Sequence, residues 1–144
     1  MSISINGIAH LQMNVSPGGK ALEFWERLCH FLEMETLLQG EDSRYFIGGR
    51  TGILVRELDH AHADQTLDQN QPGLHHLCFR ARSREDVDQA YAFISNELKA
   101  HIIRAPKIED HYAAGYYSIG TDMPPESFVP GCPRHEHTIF WQGT

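Results

Sequence analysis

The chain carries one arrangement of residues twice, and that repeat limits the folds open to it more than anything else in the sequence. Residues 8–28, IAHLQMNVSPGGKALEFWERL, and 74–94, LHHLCFRARSREDVDQAYAFI, align at an offset of 66, which superposes His10 on His76, Leu11 on Leu77, Val15 on Ala81, Ala21 on Val87, Trp25 on Tyr91 and Leu28 on Ile94. In the first copy His10, Gln12 and Asn14 alternate with Leu11, Met13 and Val15, the period of a strand with one face buried. Ser16-Pro17 then marks a helix start, and Ala21, Phe24, Trp25, Leu28, Phe31 and Leu32 recur at helical spacing. In the second copy Ser83 and Asp86 have the spacing of a capping box, ahead of an apolar stripe of Val87, Ala90, Tyr91, Ile94 and Leu98. The aromatic residues of both stripes are expected in the core.

Three short strands follow each helix. METLLQG, RYFIGG and GILVREL are broken at Gly40-Glu41-Asp42 and at Gly48-Gly49-Arg50, which are turn compositions. AHIIRAP, GYYSIG and HTIFWQ take the corresponding places after the second helix. Each half therefore reads strand, helix, three strands, an α+β arrangement. The expected organisation is one domain made of a first module at about 1–59, a polar linker at about 60–72 and a second module at about 73–144.

A chain of 144 residues can bury a core without disulfide or metal staples. Its formal charge of −7, with no basic cluster to offset it, argues against nucleic acid and anionic membrane surfaces as partners. Cys29, Cys78 and Cys132 are odd in number and widely spaced, as reduced filler thiols would be. The N-terminal stretch has no signal-peptide pattern, so the cytoplasm is the expected location.

The fragments HLQMNV, GRTGILVRE, GLHHLCFRARSREDVDQAYAFI and AAGYYSIG, in this order and up to about residue 120, resemble the vicinal oxygen chelate superfamily, which contains glyoxalases, extradiol dioxygenases, fosfomycin-resistance transferases and bleomycin-binding proteins. The resemblance is to a small, uncharacterised bacterial branch. It implies two β-α-β-β-β modules, each curling its sheet into a partly open, barrel-like cup, and a homodimer, as many relatives form. It also implies a divalent metal held by first and last strands of each half. Carried over residue by residue, the ligands are His10, Glu57, His76 and Glu136.

These positions differ in how firmly the residues support them. His10 and His76 are superposed by the repeat itself. His75 matches Ala9 instead, and strand alternation expects it on the opposite face from His76. Glu57 ends GILVREL, where an ordinary exposed glutamate is the competing reading. After GYYS the chain departs from the family pattern, and Val129 or Pro130 falls where an acid belongs. A longer proline-rich loop would bring in Glu136 from HEHTIFW, with His137 and Glu126 as weaker candidates; otherwise the site has lost a ligand.

Two imidazoles with one or two carboxylates suit zinc, nickel, iron, cobalt or manganese. Four ligands imply a lyase or isomerase that polarises a small vicinal-oxygen substrate, with Glu136 or Glu57 as general base. Three imply the two-histidine, one-carboxylate arrangement of non-haem iron dioxygenases. A metal-free small-molecule or antibiotic binding protein, its cup lined by Tyr45, Phe46, Tyr116, Tyr117, Phe140 and Trp141, is the alternative.

Overall fold

The computed structural model describes residues 2–18, 20–62, 70, 72–121 and 138–142, with the side chains of 138, 139, 141 and 142 left aside. The first unit, residues 1–65, holds β1 (His10–Val15), α1 (Lys20–Phe31), β2 (Glu35–Gln39), β3 (Ser43–Gly48), β4 (Thr51–Glu57) and a single 3₁₀ turn at His60–His62. The second, residues 66–144, holds β5 (Leu77–Arg80), α2 (Arg84–Asn96), β6 (Ile102–Ile108), β7 (Tyr117–Thr121) and β8 (Thr138–Gln142). Both sheets are open and four-stranded, in the orders β1-β4-β3-β2 and β5-β8-β7-β6. The strand-helix-three-strand reading therefore holds in each half. No helix among the described residues is long and apolar enough to cross a membrane.

Within each unit the first strand runs parallel to the last, and the remaining pairs are antiparallel. The β3–β4 hairpin closes on Gly49 and Arg50, both with positive φ (56° and 64°), the backbone of a two-residue primed turn whose twist suits the flanking strands. Each helix packs on one face of its own sheet. In the first unit Trp25, Leu28 and Cys29 meet Phe46, Ile53 and Val55, all of them fully or almost fully buried. In the second, Val87, Ala90 and Ile94 are buried with Ile119 and Phe140, and Phe79 stacks on Phe140 with ring centres 5.3 Å apart. Each aliphatic or aromatic side chain so buried contributes about 1.5–3 kcal/mol, which makes these stripes the main source of stability.

The helix ends show why the repeat persists locally. Ser83 caps α2 by accepting from the Asp86 amide while the Asp86 carboxylate accepts from the Ser83 amide, the capping box expected from spacing. α1 closes with Met34 N–H donating to the Cys29 carbonyl and Glu33 N–H to that of His30, around Glu33 at φ 59°. Lys99, 66 residues on, has φ 55°, so both copies leave their helix through a non-glycine residue in the left-handed region.

Candidate functional site

A sheet with a helix on one side presents its other side to a ligand, and the register states which residues lie there. In the first unit the pairs Leu11–Ile53, Met13–Val55 and Val15–Glu57 alternate with His10–Gly52, Gln12–Leu54 and Asn14–Arg56. Ile53, Val55 and Val15 are buried on the helix side, so His10, Gln12, Asn14, Leu54 and Arg56 occupy the open side. β3 adds Tyr45 opposite Leu54 and Ile47 opposite Gly52.

His10 and Tyr45 form the centre of this face. Their rings meet edge-on, 6.4 Å between centres and 86° between planes. Tyr45 can lie where it does because residue 52 has no side chain: a Cβ on Gly52 would stand 2.7 Å from ring carbons of Tyr45. Beside them Ala9, Glu35, Tyr45, Ile47, Arg50 and Gly52 line a shallow cleft of about 450 Å³. An aromatic wall, an exposed imidazole and nearby apolar side chains suit a small ligand with an oxygenated edge.

Glu57 does not join His10. It pairs with Val15 on the helix-facing parity, five strand residues beyond Gly52, the partner of His10, which separates the two by roughly 16 Å along the strands. A last-strand glutamate was expected beside His10; the register turns it to the other face and places it at the far end. Glu57 instead lines a second cleft, of about 680 Å³, with Gln12, Asp42, Asp59, His60 and His62. The last two belong to the start of the polar linker. Arg56 is tied there to Asp42 at 3.1 Å, which holds the Asp42 carboxyl below its ordinary range.

In the second unit the open side carries Cys78 and Arg80 of β5, Ser118 and Gly120 of β7, and Arg104 and Lys107 of β6. Ser118 is fully buried, with Arg104 over it: Nη1 donates to Ser118 Oγ at 2.7 Å and to its carbonyl at 3.2 Å. The Tyr116 phenol is hydrogen-bonded to both Ser118 and Cys78. Protein packed around the Cys78 sulfur raises its thiol above the ordinary range, partly offset by that hydrogen bond and by the Arg104 and Arg80 charges. Lys107 contacts Glu109 at 2.6 Å, His111 does so at 3.1 Å and Arg104 at 3.9 Å.

His75 and His76 do not point to opposite faces. β5 begins only at Leu77, so alternation does not govern them, and in the preceding coil the two Nδ1 atoms approach to 2.8 Å with the rings nearly perpendicular. One ring donates and the other accepts, which couples their tautomers. Both are exposed. Glu136, together with Glu126, Cys132 and His137, lies outside the described residues.

Of the aromatic lining expected from sequence, Tyr45 and Tyr116 stand on open faces. Phe46 and Phe140 are core residues. Tyr117 faces α2, donating to Asp88 at 2.6 Å beneath Arg84. Cys78 and Arg104, which were not among the expected site residues, stand on the open face of the second sheet; the repeat aligns Cys78 with Gln12 and so with that parity. Among the described residues no three His, Cys, Asp or Glu side chains converge on one point as a metal centre would need.

No family description matches the chain, and no curated protein does. Solved structures do. A candidate glyoxalase from Bacillus halodurans superposes with a TM-score of 0.72 at 21% identity, covering 96% of either chain. Lactoylglutathione lyase from Agrobacterium tumefaciens gives 0.62 at 17%, covering 96% of this chain and 95% of its own. The fosfomycin resistance protein FosX from Listeria monocytogenes gives 0.62 at 18%, covering 98% and 96%. The fold is thus the one shared by glyoxalase, bleomycin-resistance and dioxygenase proteins, as the sequence resemblance implied.

Proposed function

We propose that the protein binds a small vicinal-oxygen molecule on the open side of its first sheet, in the metal-free manner of a bleomycin-resistance-type binding protein, with His10 and Tyr45 as the recognition pair. The observation that carries this reading is the Tyr45 ring lying over Gly52 and edge-on to His10, next to a cleft of small-molecule size. Tyr45 supplies a flat apolar wall, and the exposed His10 imidazole a hydrogen bond to one ligand oxygen. The departure of Glu57 from that face favours binding over a four-ligand centre.

The test is a catechol titration followed by protein-observed NMR. Saturable shifts centred on His10 and Tyr45 are expected, and they should vanish in His10→Ala and Tyr45→Ala. Catechol shifts confined to other surfaces, or unchanged by both variants, would overturn the reading.

A second reading has its own support, because His10 and His76 hold matching positions in the repeat and are both exposed. A divalent metal on these two histidines and Glu136 would be the three-ligand arrangement of iron-dependent oxygenases, and would supply Lewis-acid or oxygen chemistry to a lyase, isomerase or dioxygenase. Elemental analysis of protein purified without chelator decides it: stoichiometric metal lost in His76→Ala and kept in Glu57→Gln supports this reading, and absence of metal after reconstitution removes it.

A further inference from the structure

We infer that the open face of the second sheet is a subsite for a small oxyanion, a carboxylate or a phosphate-type group, anchored by Arg104. The inference rests on the small-molecule reading above and adds a ligand class to it.

Four polar groups from four segments converge there: Arg104 of β6, Ser118 of β7, Cys78 of β5 and Tyr116, which precedes β7. The guanidinium is not a waving surface charge. Its side chain is 15% exposed, it stands opposite Gly120, which leaves it room, and its two bonds to Ser118 fix its plane against the sheet. A guanidinium so fixed loses little freedom on binding and presents a planar fork of donors, the geometry that matches carboxylate and phosphate oxygens.

The neighbours suit an anion as well. Lys107 shares the face with Arg104 through its pairing to Ser118, and Arg80 shares it through Trp141, the residue β8 pairs with Ser118. Glu109 contacts both Lys107 and Arg104, more closely at Lys107 (2.6 Å) than at Arg104 (3.9 Å). Three cationic residues on one sheet face are notable in a chain whose formal charge is −7, since they concentrate attraction for an anion at one place. Tyr116 can turn its phenolic O–H from the Cys78 sulfur to an arriving oxygen.

Nothing comparable stands on the first sheet. Among the described residues the corresponding face there offers His10, Tyr45, Leu54 and Ile47; Arg56 is bonded to Asp42, and Arg50 borders the cleft together with Glu33 and Glu35.

Calorimetric titrations of the full chain with inorganic phosphate and, separately, malonate would test the subsite. Saturable binding of either anion is expected, weaker at higher salt and reduced at least tenfold in Arg104→Ala. Because Arg104 also ties β6 to β7, Arg104→Lys and Tyr116→Phe serve as milder variants; each should weaken the anion about threefold or more with an unchanged melting temperature. Arg84→Ala, on the helix side, should not affect it. Tighter phosphate than malonate would assign a phosphate-type ligand, and the reverse a carboxylate. If neither anion binds the native chain, or if both bind equally well to all three variants, the subsite is refuted. Catechol shifts at His10 that survive such a result would leave the small-molecule reading standing, while loss of both would remove the two together.

Discussion

Trp25 and Tyr91 hold the same position of the repeat, as do Leu28 and Ile94, Met34 and Ala100, and the left-handed pair Glu33 and Lys99; Leu28 and Ile94 are both fully buried. On the other side of the sheets the correspondence ends. There the first unit presents His10, Tyr45 and Leu54, and the second Cys78, Arg80, Arg104 and Ser118. Helix-side residues must fill a fixed volume at high density, so a change at one position is felt by its neighbours. Open-side residues have solvent opposite them and can change one at a time. Duplication thus keeps the scaffold and frees the chemistry.

That contrast can be broken at several points. The largest expected effect is in the first core: Trp25→Ala should cost about 3–5 kcal/mol in denaturant unfolding, whereas Tyr91→Ala, from a half-buried ring, should cost about half as much. Equal losses would mean that the two helices are equivalent anchors, whatever the burial of the ring. Trp25→Phe should be mild by comparison, because the buried indole N–H has no hydrogen-bond partner among the described residues.

Gly52→Ala comes next and addresses the open face. Its new methyl collides with the Tyr45 ring, costing about 1–3 kcal/mol or pushing the ring off His10. Catechol affinity should fall with either outcome. Native catechol affinity in this variant would show that the placement of Tyr45 is incidental.

Alkaline titration probes the first core a second way. Burial pushes the Cys29 thiol from 9.0 up to about 12, so the folded chain keeps this proton at a pH where the unfolded chain has released it. Stability contributed by the neutral thiol is complete below pH 9 and is lost as pH rises from 9 towards 12, by about 1.4 kcal/mol per unit. Unfolding free energies measured at pH 8.5 and 10 should therefore drop more in the native chain than in Cys29→Ala; parallel slopes would contradict a neutral buried thiol.

Two smaller effects concern the helix ends. Ser83→Ala should cost about 1 kcal/mol, whereas the repeat puts Pro17 at the matching place before α1, with no side-chain oxygen to cap it. Glu33→Gly and Lys99→Gly should each stabilise by roughly 0.5 kcal/mol by relieving left-handed backbone, read as a small rise in melting temperature.

Much of the fold was legible because it rests on local signals. Alternation marked β1, the Ser83–Asp86 spacing marked the start of α2, and Gly49-Arg50 marked a hairpin. The site was less so, since it depends on register, which is a relation between strands. Counting residues from His10 to Glu57 gives a distance along the chain and no parity; only the Val15–Glu57 pairing shows that the glutamate belongs to the other face. The paired histidines failed expectation for a similar reason, as alternation was applied to residues one step outside the strand. Arg104 escaped notice because its hydrogen bonds go to a β7 serine that no sequence motif connects to it.

Of the four border strands, β2 and β6 carry register shifts, between Thr36 and Leu38 in one and between Ile102 and Lys107 in the other. β2 also leaves Leu37 and Leu38 more than half exposed. A flat, apolar border strand is a template on which a foreign chain can lay down further strands, the first step of aggregation. An irregular ladder offers no continuous row of amide and carbonyl groups to copy. Straightening either border, for example by deleting Leu37, should therefore appear first as lost solubility during expression rather than as lost binding.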